Sequence, residues 1–420
     1  MKVLWLTNTP ANADEYLNNE LKGTGGWLKA LDLAIQQHVE LHVAFYHESK
    51  KSFMHKMTTY HTISNKNSVF SKLLKKITIH IPENDDLENY IEIINKVNPD
   101  LIHIHGTENA FGCLIGRVAT PIVVSIQGNI TVYYHKFFNG IEKEWAFKKF
   151  FQFNKITDFP FFKSYKRNYY SFKKMRKREL ESLKNCKNII GRTHWDFRIT
   201  RILAPLSNYY QGEELLRNAF YQYAWKNNFD KKLIIHTTNG NSPYKGFETI
   251  CQSLALLNKM GVDVEWRVAG INETDLIAKA VRKKLQKDFP KKGLVLLGSL
   301  NEKMLVEKML EANLYVMPSH IENSPNNLCE AMMLGMPSIA TFVGGVGSLI
   351  KDGEEGILIQ AGDPWAMAGA ILELANNKEK AMELGKNARK KALERHDKEK
   401  IVAELISTYN QIINDSPNNK

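Results

Sequence analysis

The chain has 420 residues, enough for two or three domains, and 43% of them are apolar, which excludes fibrous and disordered classes. Its formal net charge of +12 favours anionic partners such as nucleic acid, an anionic membrane surface or phosphorylated substrates. No apolar run reaches the roughly 18 residues that span a bilayer. The four cysteines are scattered, so neither a disulfide framework nor a zinc site is indicated, and a reducing cytoplasm is the simplest location.

Strands and helices alternate through the first half of the sequence. Short apolar runs that end in polar or turn residues are typical of strands buried on both faces: Val3–Leu6, Leu41–Phe45, Leu101–His105, Ile122–Ile126 and Asn188–Ile190. Helical segments between them include Trp27–Gln36 and Leu87–Val97. This alternation predicts a parallel sheet of the Rossmann type.

A second alternating set begins near Lys232. Its predicted strands are Leu233–His236, Glu265–Ala269, Val295–Leu297, Leu314–Val316 and Ser338–Ala340. Its predicted helices are Gly246–Asn258, Asp275–Gln286, Asn301–Ala312, Asn327–Leu334 and Pro364–Ala375. A further helix, at about 397–414, has no strand after it.

The two sets predict an α/β chain with two Rossmann-like domains. We place the first at 1–205 and the second at 206–395, with a linker within 203–231 and the helix at about 397–414 packed back on the first domain. Such domains face each other across a cleft. Ligands of open parallel sheets bind beyond the carboxyl ends of the strands, so the functional residues are expected on strand-to-helix loops.

The loop Pro318–Pro325 lies between a predicted strand and a predicted helix. The first turn of that helix offers unpaired N–H groups and a partial positive charge, which suit a diphosphate. Glu330, one turn inside the helix, suits two ribose hydroxyls, and Glu322 suits the hydroxyls of a sugar. Alternatively, Glu330 complements the helix dipole and Glu322 is a solvated loop residue.

The stretch Met317–Pro337 resembles the E-x7-E signature of retaining GT-B glycosyltransferases, especially family 4. The stretches Thr341–Gly347 and Lys351–Ile359 are similar to that family in order and spacing. The resemblance implies a GT-B architecture whose second domain binds a nucleoside-diphosphate sugar and whose first domain binds the acceptor. It also implies that Glu322 binds the donor sugar and Glu330 the ribose.

Backbone N–H groups at the start of the helix complete the implied donor site. The resemblance assigns them to Asn326, Asn327 and Leu328, facing the phosphates or the sugar.

Lys245 follows the strand that begins the second set. Its ammonium group would neutralise the departing diphosphate, and a lysine near a helix start is otherwise disfavoured by the dipole. The family usually has an arginine five or six residues earlier, where this chain has Gly240 and Asn239. We therefore expect weaker donation to the diphosphate from Asn239, Asn241 or Ser242.

Two loops of the first domain are further candidates. Gly25 and Gly26 match a glycine pair that, in the family, touches the donor phosphate or the acceptor, although such a turn is more often only a turn. Gln127 stands where many relatives have a histidine, and a neutral amide orients a hydroxyl without acting as a base. Asn129 follows in the same loop.

Three more polar residues end strands of the first domain. His105 either lines the cleft or is a satisfied core histidine. Arg192 and Asp196 either lie at the cleft floor or form a structural ion pair.

The segment 133–187 mixes Lys and Arg with Tyr, Phe and Trp. Such a mixture suits an anionic membrane surface or a lipid-diphosphate acceptor, and it would also suit RNA stacking. A solvated basic helix face is the equally weighted alternative.

The sequence thus predicts a retaining hexosyltransferase-type enzyme that uses UDP- or GDP-linked sugars, a choice the sequence leaves open. The expected acceptor is a glycan or lipid-linked glycan in cell-surface polysaccharide biosynthesis, which places the enzyme in the cytoplasm, peripheral to the inner membrane face. No cofactor is required and no metal is expected, because no D-x-D triplet occurs. The alternatives are a GT-B-like epimerase or hydrolase and a basic nucleic-acid-binding protein, although nucleic acid is not the expected partner.

Overall fold

The computed structural model describes residues 1–17, 26–64, 87–149, 165–226 and 232–416. The chain divides into two compact units. The first unit comprises Met1–Tyr134, Tyr169–Leu215 and His396–Lys420, and the second comprises His135–Asn168 and Leu216–Arg395.

The first unit contains an eight-stranded sheet. Its strands are β1 (Lys2–Thr7), β2 (Glu40–Tyr46), β3 (Ser52–His55), β4 (Thr58–Ile63), β5 (Leu101–His105), β6 (Ile122–Ser125), β7 (Asn188–Gly191) and β8 (Asn208–Gln211). They lie in the order β3-β4-β2-β1-β5-β6-β7-β8. The β3–β4 pair is antiparallel and the other pairs are parallel.

The second unit contains a six-stranded parallel sheet. Its strands are β9 (Leu233–Thr238), β10 (Val264–Ala269), β11 (Leu294–Gly298), β12 (Leu314–Met317), β13 (Ser338–Thr341) and β14 (Ile357–Ile359). They lie in the order β11-β10-β9-β12-β13-β14. The strand order reverses between β9 and β12, and ligands of doubly wound sheets bind at such a reversal.

Helices connect these strands. In chain order they are α1 (Ala13–Tyr16), α2 (Gly26–Ile35), α3 (Leu87–Val97), α4 (Ile130–Lys136), α5 (Lys143–Lys149), α6 (Tyr165–Lys184), α7 (His194–Leu203), α8 (Asn218–Gln222), α9 (Phe247–Lys259), α10 (Leu276–Leu285), α11 (Glu302–Leu310), α12 (Asn326–Leu334), α13 (Pro364–Asn376), α14 (Lys378–Arg395) and α15 (Lys398–Asn414). Short 3-10 helices lie at Ala110–Leu114, Pro243–Lys245, Gln286–Asp288 and Val346–Ser348.

Strand β1 shows why the first sheet is covered on both faces. Its alternate residues Val3 and Trp5 belong to one apolar cluster, which α2 and α15 cover, whereas Leu4 and Leu6 belong to a cluster with α3. Helix α15 is fixed to the sheet through Tyr409, whose hydroxyl accepts a hydrogen bond from Trp5 Nε1 at 3.0 Å. The last helix of the chain therefore packs on the first unit.

The predicted α/β class and the parallel sheets are confirmed, apart from the antiparallel β3–β4 pair. Among the described residues, no helix combines the length and the apolar character needed to cross a membrane.

Candidate active site

The loop between β12 and α12 is buried although most of its side chains are polar. Glu322 is 5% exposed, and Ser319, Asn323 and Ser324 are also buried. Burying an ionised carboxylate costs several kcal/mol unless it is paired and hydrogen-bonded. The loop is therefore packed inside the second unit, and Glu322 is not the solvated loop residue that the sequence left as an alternative.

Glu322 is paired with Lys245, the second residue that the sequence singled out in this unit. The Lys245 Nζ lies 2.6 Å from Glu322 Oε1, and Ser319 Oγ donates to the same oxygen at 2.8 Å. Burial lowers the pKa of Lys245, but the charges of Glu322 and Tyr244 and the Glu322 hydrogen bond leave it above its ordinary value. The structure thus places a charged ammonium group and a carboxylate side by side.

Two glycines let the surrounding backbone approach this pair closely. Gly246 has φ +76°, and a Cβ there would lie 2.0 Å from the carbonyl oxygen of Pro318. Gly344 has φ +50°, and a Cβ there would lie 1.8 Å from the carbonyl oxygen of Glu322. The N–H of Gly345 donates to that same oxygen at 3.0 Å. The loops of Lys245 and Glu322 are therefore locked together by backbone contacts.

Replacing Gly246 with alanine should destabilise the second unit. Gly261 is the matched control, because its φ of +78° is nearly the same and no described atom lies within 4 Å of its Cβ position. We expect a loss of about 3 kcal/mol for Gly246→Ala, from strain and collision together, and about 1 kcal/mol for Gly261→Ala, from strain alone. Urea unfolding followed by circular dichroism measures both. Equal losses would show that the contact with Pro318 is unimportant.

Glu330 lies on α12 and is 3% exposed. Its two carboxylate oxygens accept from Nε and Nη2 of Arg217, each at 2.6 Å. Burial raises the pKa of Glu330, and the hydrogen bonds and charge of Arg217 oppose that rise without cancelling it. Sequence reasoning missed Arg217, since nothing in the pattern connects residues 113 positions apart. A buried carboxylate requires a cation, but the sequence does not say which one.

The start of α12 carries the three predicted backbone donors. The Asn327 side chain donates to the carbonyl of Thr238 at 2.7 Å, which ties the helix start to the end of β9. The N–H of Leu328 already bonds the Pro325 carbonyl at 3.0 Å and the Asn327 amide oxygen at 2.9 Å. Contact of this N–H with a phosphate would require those bonds to open. Asn326 is the first helical residue.

The turn after β9 holds Lys245 through its own polar residues. The Asn239 side chain donates to the Lys245 carbonyl at 3.1 Å and accepts from Gly240 N–H at 2.8 Å. Ser242 accepts the N–H of Lys245 at its carbonyl, 3.1 Å away. Asn241 accepts from the N–H of Ile277 at the start of α10, at 3.1 Å. These contacts shape the turn, so the structure gives the three residues a structural use that the sequence did not anticipate.

A pocket in the first unit brings together the predicted catalytic residue Gln127 and two of the predicted acceptor or cleft candidates. His105, Gln127 and Arg192 line it with Trp27. The indole of Trp27 lies 5.7 Å from the His105 ring, centroid to centroid. This pocket is at the carboxyl ends of β5, β6 and β7, as expected for a ligand site in a parallel sheet.

His105 is buried, and neither of its ring nitrogens has a hydrogen-bond partner among the described residues. Its ring stacks on His103 at 3.8 Å. Burial lowers the pKa of His105 to about 3, so the ring stays neutral at physiological pH. The satisfied core histidine that the sequence allowed is therefore wrong for His105.

The neutral His105 predicts a pH dependence of stability. In the unfolded chain the His105 imidazole takes up a proton near pH 6.5, whereas in the folded chain it does so only near pH 3. The free energy of unfolding is therefore highest above pH 6.5 and decreases as the pH falls below that value, because the unfolded chain then binds the additional proton. Between pH 6.5 and 5 this amounts to about 2 kcal/mol. Urea unfolding of His105→Gln should show that much less acid sensitivity. His38 is exposed, so the control variant His38→Gln should have the acid sensitivity of wild type. If His105→Gln also had the acid sensitivity of wild type, the His105 ring would be charged in the folded chain.

Arg192 and Asp196 each stabilise a different part of the first unit. The Arg192 guanidinium pairs with Glu214 and donates to the carbonyl oxygens of Ile126 and Gln127 at 3.1 and 2.9 Å. Asp196 caps α7 reciprocally with Thr193 and accepts the N–H of Arg192 at 2.9 Å. Arg192 therefore supports the backbone of Gln127, and Asp196 starts a helix. The sequence allowed a structural ion pair between Arg192 and Asp196, whereas the structure pairs the Arg192 guanidinium with Glu214.

The remaining candidates have simpler settings. Asn129 is fully buried and accepts the N–H of Val132 at 3.3 Å, at the start of α4. Gly26 begins α2, and Gly25 lies outside the described residues.

The basic aromatic segment 133–187 is described only in part, since 150–164 lies outside the described residues. Within it, α6 exposes Lys173, Lys174 and Lys177. No group of His, Cys, Asp or Glu suited to a metal ion occurs among the described residues.

Most of the second unit is similar to a known protein family. Residues 222–391 match the family model of the glycosyl transferases group 1. This group 1 match contains Lys245, Glu322 and Glu330. Arg217 lies just before it.

Curated relatives match over shorter stretches. The chain is 31% identical over 116 residues to N-acetyl-alpha-D-glucosaminyl L-malate synthase of Bacillus anthracis, covering 28% of this chain and 30% of that protein. It is 28% identical over 172 residues to the capsular polysaccharide biosynthesis glycosyltransferase CapM of Staphylococcus aureus, covering 41% and 44%. The matched stretches thus span less than half of either relative's length.

Solved structures match over the whole chain. Sucrose-phosphate synthase of Thermosynechococcus elongatus has a TM-score of 0.72 at 16% identity, with 98% of each chain covered. HepE of Anabaena in complex with UDP and glucose has a TM-score of 0.64 at 14% identity, with 98% of this chain and 99% of that chain covered. The predicted GT-B fold is confirmed.

Proposed function

We propose that the chain is a retaining glycosyltransferase whose second unit binds a nucleoside-diphosphate sugar and whose first unit binds a glycan or lipid-linked glycan. The observation that carries the proposal is the ion pair between the partly exposed Lys245 and the buried Glu322, in the loop that leads into α12. A cation, a carboxylate and a helix N-terminus in one place match the diphosphate and sugar of such a donor in charge and hydrogen-bonding character.

Each group has a distinct task in the proposed reaction. Lys245 has three N–H donors, so it can keep its bond to Glu322 while it stabilises the departing diphosphate. Glu322 accepts hydrogen bonds from hydroxyls of the transferred sugar. Glu330 accepts from the ribose hydroxyls of the nucleotide.

The anomeric configuration is retained when the acceptor oxygen attacks the anomeric carbon on the same face from which the diphosphate departs. The bond between the anomeric carbon and the phosphate oxygen breaks, and the bond between that carbon and the acceptor oxygen forms on the same face. The acceptor's proton passes to the departing phosphate oxygen. Gln127, whose backbone Arg192 holds, orients the acceptor hydroxyl without taking its proton.

The pocket of the first unit supports a sugar acceptor. Trp27 offers an aromatic surface, and the neutral ring of His105 offers one donor and one acceptor. The exposed lysines of α6 suit the phosphate of a lipid-linked glycan at the inner face of a membrane. The donor base is UDP or GDP, with UDP tested first because the HepE structure holds UDP.

The proposal is tested by incubating the full chain with UDP- and GDP-linked hexoses, with and without oligosaccharide and undecaprenyl-diphosphate-linked acceptors. We expect nucleoside diphosphate to appear only with an acceptor, and nuclear magnetic resonance to show the donor's anomeric configuration in the product. Release without any acceptor would indicate the epimerase or hydrolase alternative. Salt-sensitive RNA binding without nucleotide binding would indicate the nucleic-acid alternative.

A further inference from the structure

The guanidinium of Arg217 is held between a carboxylate and an aromatic ring. It makes two parallel bonds to the carboxylate of Glu330, at 2.6 Å each. Its Cζ lies 4.9 Å from the ring centroid of Phe220, one turn along α8. Helix α8 is itself anchored, because Glu302 on α11 accepts the N–H of Ala219 at 2.9 Å. The orientation of the Arg217 guanidinium is therefore fixed, with two N–H groups directed at the Glu330 carboxylate.

The fork leaves part of the Glu330 carboxylate available. A carboxylate has about four acceptor positions, two on each oxygen. Arg217 takes one position on each oxygen and, as far as the described residues go, one position per oxygen is left for other donors. A pair of neighbouring hydroxyls, such as the 2′ and 3′ hydroxyls of ribose, offers two donors at matching spacing.

We propose that Arg217 is a positioning residue for nucleotide recognition, which orients the Glu330 carboxylate so that it binds both ribose hydroxyls. This inference rests on the proposed function, because it assumes that the second unit binds a nucleoside diphosphate. Arg217 lies outside the matched residues 222–391, so the family match does not assign it a role.

The charge of Arg217 matters because Glu330 is buried. Burial raises the pKa of Glu330, and the Arg217 hydrogen bonds and charge lower it again. Without Arg217, Glu330 would hold a proton to a higher pH. A protonated carboxyl group keeps fewer acceptor positions, so the bond to one ribose hydroxyl would be lost until the pH rises.

The test compares ribonucleotides with deoxyribonucleotides. Titration calorimetry measures UDP, GDP and their 2′-deoxy counterparts on the full chain, as wild type, Arg217→Met and Arg217→Lys. Arg282→Met is the matched control, since Arg282 also pairs with a glutamate and lies 4.9 Å over a phenylalanine ring, but its guanidinium is half-exposed. Thermal unfolding checks that each variant is folded.

We expect wild type and Arg282→Met to prefer the ribonucleotide about tenfold. Arg217→Met should lose about tenfold in ribonucleotide affinity and little in deoxyribonucleotide affinity, and the loss should shrink as pH rises from 6 to 9. Arg217→Lys keeps the charge without the fork, so it should recover ionisation but only part of the preference. It serves as the deciding variant if Arg217→Met does not fold.

Two results would overturn the inference alone. In one, wild type binds a nucleotide and Arg217→Met or Arg217→Lys keeps the full ribose preference. In the other, affinity for ribo- and deoxyribonucleotide falls equally and independently of pH, as expected for a merely structural arginine. If wild type binds neither UDP nor GDP, the proposed function fails as well.

Discussion

Replacing Glu322 with glutamine should lower the turnover number about 100-fold or more, with nucleoside-diphosphate affinity nearly unchanged. Glutamine keeps the size of the side chain and one acceptor oxygen, but it removes the charge that faces Lys245 and the strongest acceptor for sugar hydroxyls. The sugar hydroxyls are bound most tightly in the transition state, when positive charge develops on the anomeric carbon. The variant should therefore lower the rate of sugar transfer more than the affinity for the nucleotide. Initial rates at saturating donor and calorimetry with the nucleoside diphosphate measure the two effects.

The matched control for this variant is Glu354→Gln. Glu354 is also a glutamate paired with a lysine of the second unit, Lys351, but both side chains are exposed. The control should keep wild-type turnover. Wild-type turnover in Glu322→Gln, or an equal loss of nucleotide affinity and turnover, would contradict the role assigned to Glu322.

Replacing Lys245 with methionine should lower kcat/KM for the donor by about 100- to 1,000-fold. The ammonium group is the cation that we assign to the departing diphosphate, and the turn before it has Asn239 and Gly240 in place of a second cation. Nucleoside-diphosphate affinity should fall with it, because the diphosphate is charged before and after transfer. Donor kinetics and calorimetry measure both effects.

Lys245→Met also leaves the buried Glu322 carboxylate without its cation, which would destabilise the fold. The loss of catalysis must therefore be separated from a loss of stability. The double variant Lys245→Met with Glu322→Gln removes both charges and thus restores neutrality. It should unfold at a temperature near that of wild type while remaining inactive. Lys308→Met is the control, since Lys308 pairs with Glu311 at the surface, at 2.9 Å. Recovery of transfer in the double variant would show that Lys245 only neutralises Glu322.

The hydrophobic pattern located most strands because they are buried on both faces. It placed Leu101–His105 and Leu87–Val97 with the bounds that the structure has. It did not mark β4, whose Thr58, His61 and Thr62 are polar yet buried. Thr58 bonds Asp32, and His61 bonds Ser52, so burial is stabilised by side-chain partners that a one-dimensional pattern does not display.

The same limit applies to the candidate site. Lys245, Glu322 and Glu330 were found from their positions after strands and from the resemblance to a family signature. Their partners were not, since the Lys245–Glu322 and Arg217–Glu330 bonds join residues 77 and 113 positions apart. For Arg192 the sequence offered Asp196 as an ion-pair partner, but the guanidinium pairs with Glu214, which lies in a segment that the sequence marked only as linker.

Hydrogen–deuterium exchange with bound nucleotide tests most directly whether the nucleoside diphosphate binds the second unit between the turn of Lys245 and the start of α12. The full chain is measured with and without saturating UDP or GDP, whichever binds more tightly, and again with Glu330→Ala as a variant of weakened affinity. We expect slower exchange in peptides covering 239–247 and 318–330, and little slowing in the variant at the same nucleotide concentration. Slowing confined to other segments, or equal slowing in Glu330→Ala, would contradict it.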